Sequence, residues 1–370
     1  MKHETYKPTR INAAAVARFK RLTGVVMIDR YRDLLHDLFL LRNPRYRFDK
    51  NYARHLREFS RAAPEGNWFY FPWSRQLVHF LPEDMHQELR TGRNRYLITA
   101  TEQKRYYRAV VGVAGLSVGS HAALTIVMTG GGRHIKLADP DTISGDNCNR
   151  IRTGFQNVWV NKAVAVARQM YEINPYAKVD LYPQGITETN VARFLAGLDV
   201  LVEEMDNPYL KVKIRFLARE RGIPVIMAAD NGDGIIADVE RYDFNTRYPI
   251  LHGIIGKTTP EDLKKIPPRE LPRVIARIAG ANRADLRMLH SVTKVGKSIY
   301  SWPQLGTAAT LCGSVLAYIS RQIILGNRAI KSGRYEVNPA AIFETGYHAR
   351  AAAKRRNRSR KQFLKKLGLS

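Results

Sequence analysis

The sequence predicts an α/β fold, a doubly wound and mostly parallel sheet, from three observations. Short β-branched runs alternate with helical stretches from Arg108 onward. A turn of small residues follows the first run, and acids close the second and the fourth. Strands alternating with helices imply a parallel sheet covered on both faces. Crossovers in such sheets are right-handed, and ligands gather at the C-terminal ends of the strands.

Each element has its own signal. Residues 109–114, Ala-Val-Val-Gly-Val-Ala, read as a buried strand. Residues 120–129 are apolar and helical and end at Gly130-Gly131-Gly132. Residues 134–139 form a second strand that stops on Asp139. A helix over 162–173 is closed by Asn174-Pro175. Further strands are expected at 178–181, 199–204 and 224–228, with a helix over 210–222. Upstream, residues 13–41 predict one or two helices, broken by Asn43-Pro44. Residues 52–62 predict another helix. The aromatic run 68–73 predicts a short strand packing this region onto the next. Downstream, 261–272 reads as an exposed linker or lid. Residues 307–325 read as an apolar helix whose small residues (Ala308, Ala309, Gly313, Ser314, Ala317) suit a core or a dimer interface. The expected organisation is a mainly helical region over 1–90, an α/β domain over 91–335 and a flexible basic tail over 345–370.

Composition narrows the class. The chain has 370 residues, 45% of them hydrophobic, enough to bury a core. Its two cysteines, Cys148 and Cys312, allow neither a disulfide framework nor a four-cysteine zinc site. That usage fits a reducing, cytoplasmic compartment. No secretory signal is expected at the start, and His121 and three glycines interrupt the most apolar stretch, 109–128, so no membrane span is expected. The net charge is +27 and sits largely in the flanks. Residues 1–108 hold 22 basic and 11 acidic residues, and nine Lys or Arg but no acid follow Glu344. Such ends favour polyanions or an acidic partner, or are simply solvated.

Three constellations carry chemistry. The first is strand, Gly115-Leu116-Ser117-Val118-Gly119, then helix. Small residues there let backbone N–H groups approach phosphates at a helix N-terminus. Asp139 follows Gly119 by 20 residues, the spacing at which a carboxylate meets a ribose hydroxyl. A nicotinamide dehydrogenase shares these two features. The second constellation is Asp141, Asn147, Arg150 and Lys162, whose cations can hold phosphoryl oxygens and neutralise charge. The third is Asp206-Asn207 at the end of the fourth strand, where a carboxylate can hold Mg²⁺. Each residue also has a structural reading: Asp139 and Asp141 could cap their turn, Asn147 could support its loop, and Asp206 could cap the next helix.

The joint pattern Asp139, Asp141, Asn147, Arg150, Lys162, Asp206 and Asn207 resembles the ThiF/MoeB, ubiquitin-activating type of adenylating family, over about residues 90–255. Residues 114–119, Pro72-Trp73-Ser74-Arg75, 252–256 and 301–305 are most similar to ThiF-like proteins sometimes fused to a nitroreductase-type domain. The resemblance implies a Rossmann-like ATP-binding adenylation domain. It implies that Asp139 meets the ATP ribose, that Asn147, Arg150 and Lys162 lie at the phosphates, and that Asp206 positions Mg²⁺. It also implies a homodimer in which an upstream arginine, Arg95 by preference over Arg93, reaches the partner's ATP site. The acceptor would be a carboxylate on a ubiquitin-like or sulfur-carrier protein, or on a modified tRNA.

Departures stand beside these matches. Ala114, Leu116 and Ser117 occupy places where the family loop has glycine, and Lys211 replaces an arginine. Without Cys-x-x-Cys pairs, no structural zinc is expected. No cysteine lies between Cys148 and Cys312, so no thioester nucleophile is expected.

Overall fold

Strand β5 (Val110–Ala114) is the strand from which both halves of the main sheet wind in the computed structural model, which describes residues 5–267, 270–366 and 368. Among the described residues, four strands precede it: β1 (Thr9–Ile11), β2 (Val26–Asp29), β3 (Asn67–Phe71) and β4 (Gln76–Phe80). Six described strands follow: β6 (His134–Ala138), β7 (Lys178–Tyr182), β8 (Val200–Glu203), β9 (Val225–Asn231), β10 (Gly234–Glu240) and β11 (Gly333–Val337). The main sheet has the order β11-β10-β9-β8-β5-β6-β7. Strands β5 to β9 are parallel, with Val113 opposite Leu137 on one side and Val202 on the other. Strands β10 and β11 add an antiparallel edge. The chain steps outward from β5 to β7, then returns to the opposite side of β5 at β8. The direction therefore reverses between β5 and β8, and the crevice of a Rossmann-like sheet forms at such a reversal.

Both faces are covered. The helices Val118–Met128, Lys162–Ile173 and Gly306–Ile324 bury one face around Val111, Val113, Ala122 and Leu316. Val191–Leu195 and Pro208–Glu220 bury the other around Phe194, Leu201 and Val212. The helices Gly306–Ile324 and Val118–Met128 touch backbone to backbone: a Cβ on Gly313 would lie 2.3 Å from His121 Cβ. Of the small residues read from the sequence, Ala308, Ala309, Gly313 and Ala317 are buried, whereas Ser314 is exposed.

The region before β5 differs from its expected form. Residues 13–41 hold two helices, Ala13–Lys20 and Tyr31–Arg42, and between them an unexpected strand, Val26–Asp29, pairs parallel to β4. Its strands form a second sheet, ordered β1-β3-β4-β2. The aromatic run lies largely in β3, where Phe69 and Phe71 are buried in the same core as Val111 and Ile126. Tyr176 seals the join, its hydroxyl donating to Leu81 O at 2.6 Å.

Two downstream expectations change. Part of 261–272 is helix Pro260–Lys265, anchored by buried Leu263, rather than an open linker. Residues 268–269 of that stretch lie outside the described residues. The stretch expected as a flexible tail holds helix Arg350–Lys366, packed on helix Leu286–Val292. Alanines 351–353 favour it, and Phe363 meets the His290 ring at 6.2 Å. No helix among the described residues is long and apolar enough to cross a membrane.

Candidate active site

The turn after β5 is shaped by Gly115. Its φ is +90°, and a Cβ there would fall 2.4 Å from Glu204 O. Only glycine satisfies both constraints. Gly119 has a different task. It sits in the first turn of helix Val118–Met128, where a Cβ would lie 2.9 Å from Val113 Cγ1. It lets the helix rest on its strand. The substituted positions are absorbed: Leu116 is buried in the core, and the buried Ser117 Oγ has no hydrogen-bond partner.

Asp139 joins the ends of β5 and β6. One carboxylate oxygen accepts Leu116 N–H at 2.6 Å, and the other accepts Asp141 N–H at 2.9 Å. Burial raises its carboxyl above the usual range, opposed by the Lys162 charge and the two N–H donors. Asp141 accepts Lys162 Nζ at 2.9 Å. The Lys162 side chain is largely buried while that of Asp141 is mostly exposed. A residue overlooked in the sequence, Asn161, organises this corner. Its amide donates to the carbonyls of Asp139, Asp141 and Pro183, and its Oδ1 caps helix Lys162–Ile173. The N-cap preference for asparagine was its available signal.

The 144–150 loop brings Arg150 to the same edge. Asn147 is buried and closes a capping box with Ser144, accepting Ser144 N–H at 3.3 Å. In the chain itself it therefore shapes the loop. Arg150 donates to Asn149 Oδ1 at 2.9 Å, and its buried Nε has no partner. His121 holds the Arg150 carbonyl.

At the end of β8, Asp206 is exposed and no described residue bonds its carboxylate. The cap of helix Pro208–Glu220 is Asn207, which accepts Leu210 N–H at 3.0 Å. Capping thus leaves Asp206 available. Lys211 does not point a charge at the crevice; it is buried against Glu203 at 2.9 Å. Glu203 also binds the fully buried Arg215, which reaches Glu240 at 2.7 Å. No group of three or more His, Cys, Asp or Glu side chains among the described residues is placed to hold a metal ion. Any ion at Asp206 would therefore share ligand oxygens.

Arg95 is engaged within its own chain, donating to Leu41 O and Glu88, each at 2.9 Å. Arg93 is exposed and has no such partner among the described residues. Of the two, Arg93 is the one whose guanidinium is available to another molecule.

The 301–305 motif closes over the 144–150 loop. Asn149 donates to Gln304 O at 2.8 Å, Gln304 donates to Asp230 at 2.9 Å, and Tyr300 bonds Asp146. A cavity of 760 Å³ lies between this segment and Arg150. Beneath it, burial raises the carboxyls of Glu204 and Asp230, and burial followed by Asp230 pushes up the thiol of Cys312. Asp230 and Gln304 meet across 74 residues, and nothing local in the sequence announces the pair.

The pattern of the ThiF family matches residues 91–360, well over half of the chain. The chain belongs to the ThiF family. Among its relatives is the uncharacterized protein MT1398 of Mycobacterium tuberculosis, 34% identical over 334 residues, covering 87% of this chain and 46% of that protein. The tRNA threonylcarbamoyladenosine dehydratase of Escherichia coli is 32% identical over 34% of this chain and 47% of its own length. The sulfur carrier protein adenylyltransferase of Thermus thermophilus is 26% identical over 42% of this chain and 55% of its own. This ThiF-family chain thus spans about half the length of the curated relatives it matches. A crystal structure of the E. coli dehydratase aligns with a TM-score of 0.47 and 20% identity, over 65% of this chain and 96% of that one.

Proposed function

We propose that the chain adenylates a carboxylate at the expense of ATP. The observation that carries this reading is a set of polar groups without partners at one strand edge. Ser117 Oγ and Arg150 Nε are buried with no partner among the described residues, and Asp206, after β8, the neighbour of β5 in the sheet, is exposed with none either. Buried polar groups are ordinarily paired, so orphans at a crevice fit a polar ligand. The glycine-shaped turn at the helix N-terminus suits a polyphosphate.

In this reading Gly115, Ser117 and Gly119 form the phosphate turn. Asp139 accepts a ribose hydroxyl while holding the turn. Asn147, Arg150 and Lys162 face the phosphates, with Asp141 as the resting partner of Lys162 and Asn207 fixing the backbone at Asp206. Asp206 would hold the Mg²⁺ that accompanies the triphosphate and neutralises part of its charge. The acceptor carboxylate oxygen attacks the α-phosphorus, the α–β bond breaks and pyrophosphate leaves; no proton is transferred. Positioning and charge stabilisation by Arg150 and Lys162 supply the rate. Arg93 or Arg95 of a second copy would complete the site in a homodimer.

Neither cysteine is set up as a nucleophile: Cys312 is buried with its thiol pushed up, and Cys148 lies half-buried in the 144–150 loop. The reaction therefore ends at the acyl-adenylate, or another protein takes it on. The relatives' names supply two acceptor classes, a sulfur-carrier protein and a tRNA. A nucleotide-binding scaffold that turns nothing over is the competing reading.

ATP–pyrophosphate exchange with carrier-protein and tRNA acceptors tests the proposal. Exchange is expected with one acceptor class, and Asp206→Ala is expected to lower it by about 10³. Tight ATP binding with no exchange for either class would favour the scaffold. Undiminished exchange in Asp206→Ala would end the mechanism.

A further inference from the structure

A second cavity, of 340 Å³, shares no lining residue with the first and is lined by His252, Ile254, Arg277, Asn282, Arg283 and Arg334. Its lining is cationic. Arg334 is forked onto the buried Asp238 at 2.7 and 2.6 Å, and His252 lies 3.2 Å from the same carboxylate. Asp238 offsets the Arg334 charge. Arg277 and Arg283 are exposed and have no acidic partner among the described residues. The wall of the cavity is also strained. Leu251 and His252 are consecutive non-glycine residues in the left-handed region, at φ 49° and 58°. Such strain persists where the surroundings hold it, often at ligand clamps. Here the Tyr248 hydroxyl bonds His252 Nδ1 at 2.9 Å, and Glu240 accepts Leu251 N–H at 2.7 Å.

The Arg350–Lys366 helix continues this surface. Arg360 donates to Ala284 O at 3.1 Å, next to the cavity residue Arg283. Arg356, Arg360, Phe363 and Leu364 are half-buried on the docking side. Lys354, Arg355, Arg358, Lys361, Lys365 and Lys366 are exposed, without an acidic partner among the described residues. Lys354 and Arg358, and Lys361 and Lys365, are like charges four residues apart, a destabilising arrangement. The helix contains no acid to relieve it. A polyanion would.

We propose that the cavity and the exposed row of this helix form one binding surface for a nucleic-acid strand. The cavity takes one phosphate and the helix tracks its neighbours. Planar arginine forks match phosphate oxygens in pairs. The helix turns its apolar residues Phe363 and Leu364 inward, so its outer row offers no apolar face to a lipid surface. The surface adjoins the crevice end of the sheet: Arg283 O accepts the amide of Asn231, the last residue of β9, at 3.2 Å. If the adenylation reading holds, the strand carries the acceptor carboxylate; the binding surface itself does not depend on that reading.

The test uses the full chain, fluorescently labelled bulk tRNA and a salt series. Two variants are compared with the wild type: Arg277→Gln/Arg283→Gln, and Lys354→Gln/Arg358→Gln/Lys361→Gln/Lys365→Gln. The fourfold variant is expected to bind at least tenfold more weakly and to lose about 3 from the slope of log K against log salt. The double variant is expected to weaken binding with a smaller loss of slope. ATP affinity should not change in either. Unchanged tRNA binding in both variants would overturn the proposal, as would no salt-dependent tRNA binding by the wild type. Preferential binding to phosphatidylglycerol vesicles or to an acidic peptide would overturn it as well. Asp206→Ala separates the two readings: tRNA binding persists in it whether or not pyrophosphate exchange is ever found.

Discussion

Asp139 accepts the backbone N–H of Leu116 at 2.6 Å, tying the end of β6 to the turn that follows β5. The carboxylate expected to meet a ribose thus also fixes the loop expected to meet the phosphates. Asp139→Ala is expected to leave that buried N–H unpaired, at a cost of about 1–3 kcal/mol. Urea unfolding would show the loss without ligand, and isothermal titration would show ATP affinity reduced at least tenfold. A variant with native stability and native ATP affinity would contradict both roles.

The two glycines of the turn separate backbone strain from packing. Gly115→Ala forces a Cβ to 2.4 Å from Glu204 O at φ +90°, and should destabilise by about 3 kcal/mol. Gly119→Ala meets only Val113 Cγ1 at 2.9 Å in ordinary helical backbone, and should cost about 1 kcal/mol. Thermal melts of the pair would reverse this ordering if Gly119 were the constrained position.

Lys211 and Asp206 stand five residues apart and should respond oppositely. Lys211→Met strips one partner from buried Glu203 and should cost about 3 kcal/mol, since Arg215 still holds the carboxylate. Asp206→Ala touches an exposed, unbonded carboxylate and should change stability by less than about 0.5 kcal/mol. Chemical denaturation of both variants checks the contrast. Equal losses would place Asp206 in the structural network.

His86 makes the junction between the N-terminal region and the main sheet sensitive to acid. Its Nε2 lies 3.0 Å from Ile173 O, and burial lowers its pKa to about 4. The folded value is below the unfolded 6.5, so the unfolded chain takes up the proton first. The stability tied to the neutral ring is therefore complete above pH 6.5 and lost as pH falls toward 4, by about 3 kcal/mol in all. Urea midpoints at pH 7.5, 6 and 4.5 should fall in that order, and His86→Gln should flatten the series. An equally steep series in the variant would assign the effect elsewhere.

Strands β5 to β9 were legible because buried parallel strands are continuous β-branched runs, as in Val110–Ala114 and Val200–Glu203. Strand β1 carries no such run, and the short apolar run Val26-Met27-Ile28 of β2 is largely exposed; both gain their order from pairing with β3 and β4. The β9–β10 hairpin carries a local signal, the two-residue turn Gly232-Asp233 between Asn231 and Gly234, with Gly232 at φ 68°. In the site, charged residues were legible by type and spacing. Their supports were not, because Asn161 bonds three carbonyls and Gln304 meets Asp230 only after folding. The resemblance favours Arg95 over Arg93, and the ties of Arg95 to Leu41 and Glu88 are long-range facts of the same kind.

The seal made by Tyr176 bears on the order in which the chain can mature during synthesis. Strands β3 and β4 emerge from the ribosome early, yet the hydroxyl that caps Leu81 O follows 95 residues later. Phe69 likewise waits for the Tyr176 ring, which it meets edge-on at 5.2 Å. Strands β3 and β4 therefore hold an unfinished aromatic face until helix Lys162–Ile173 and the residues after it have been translated.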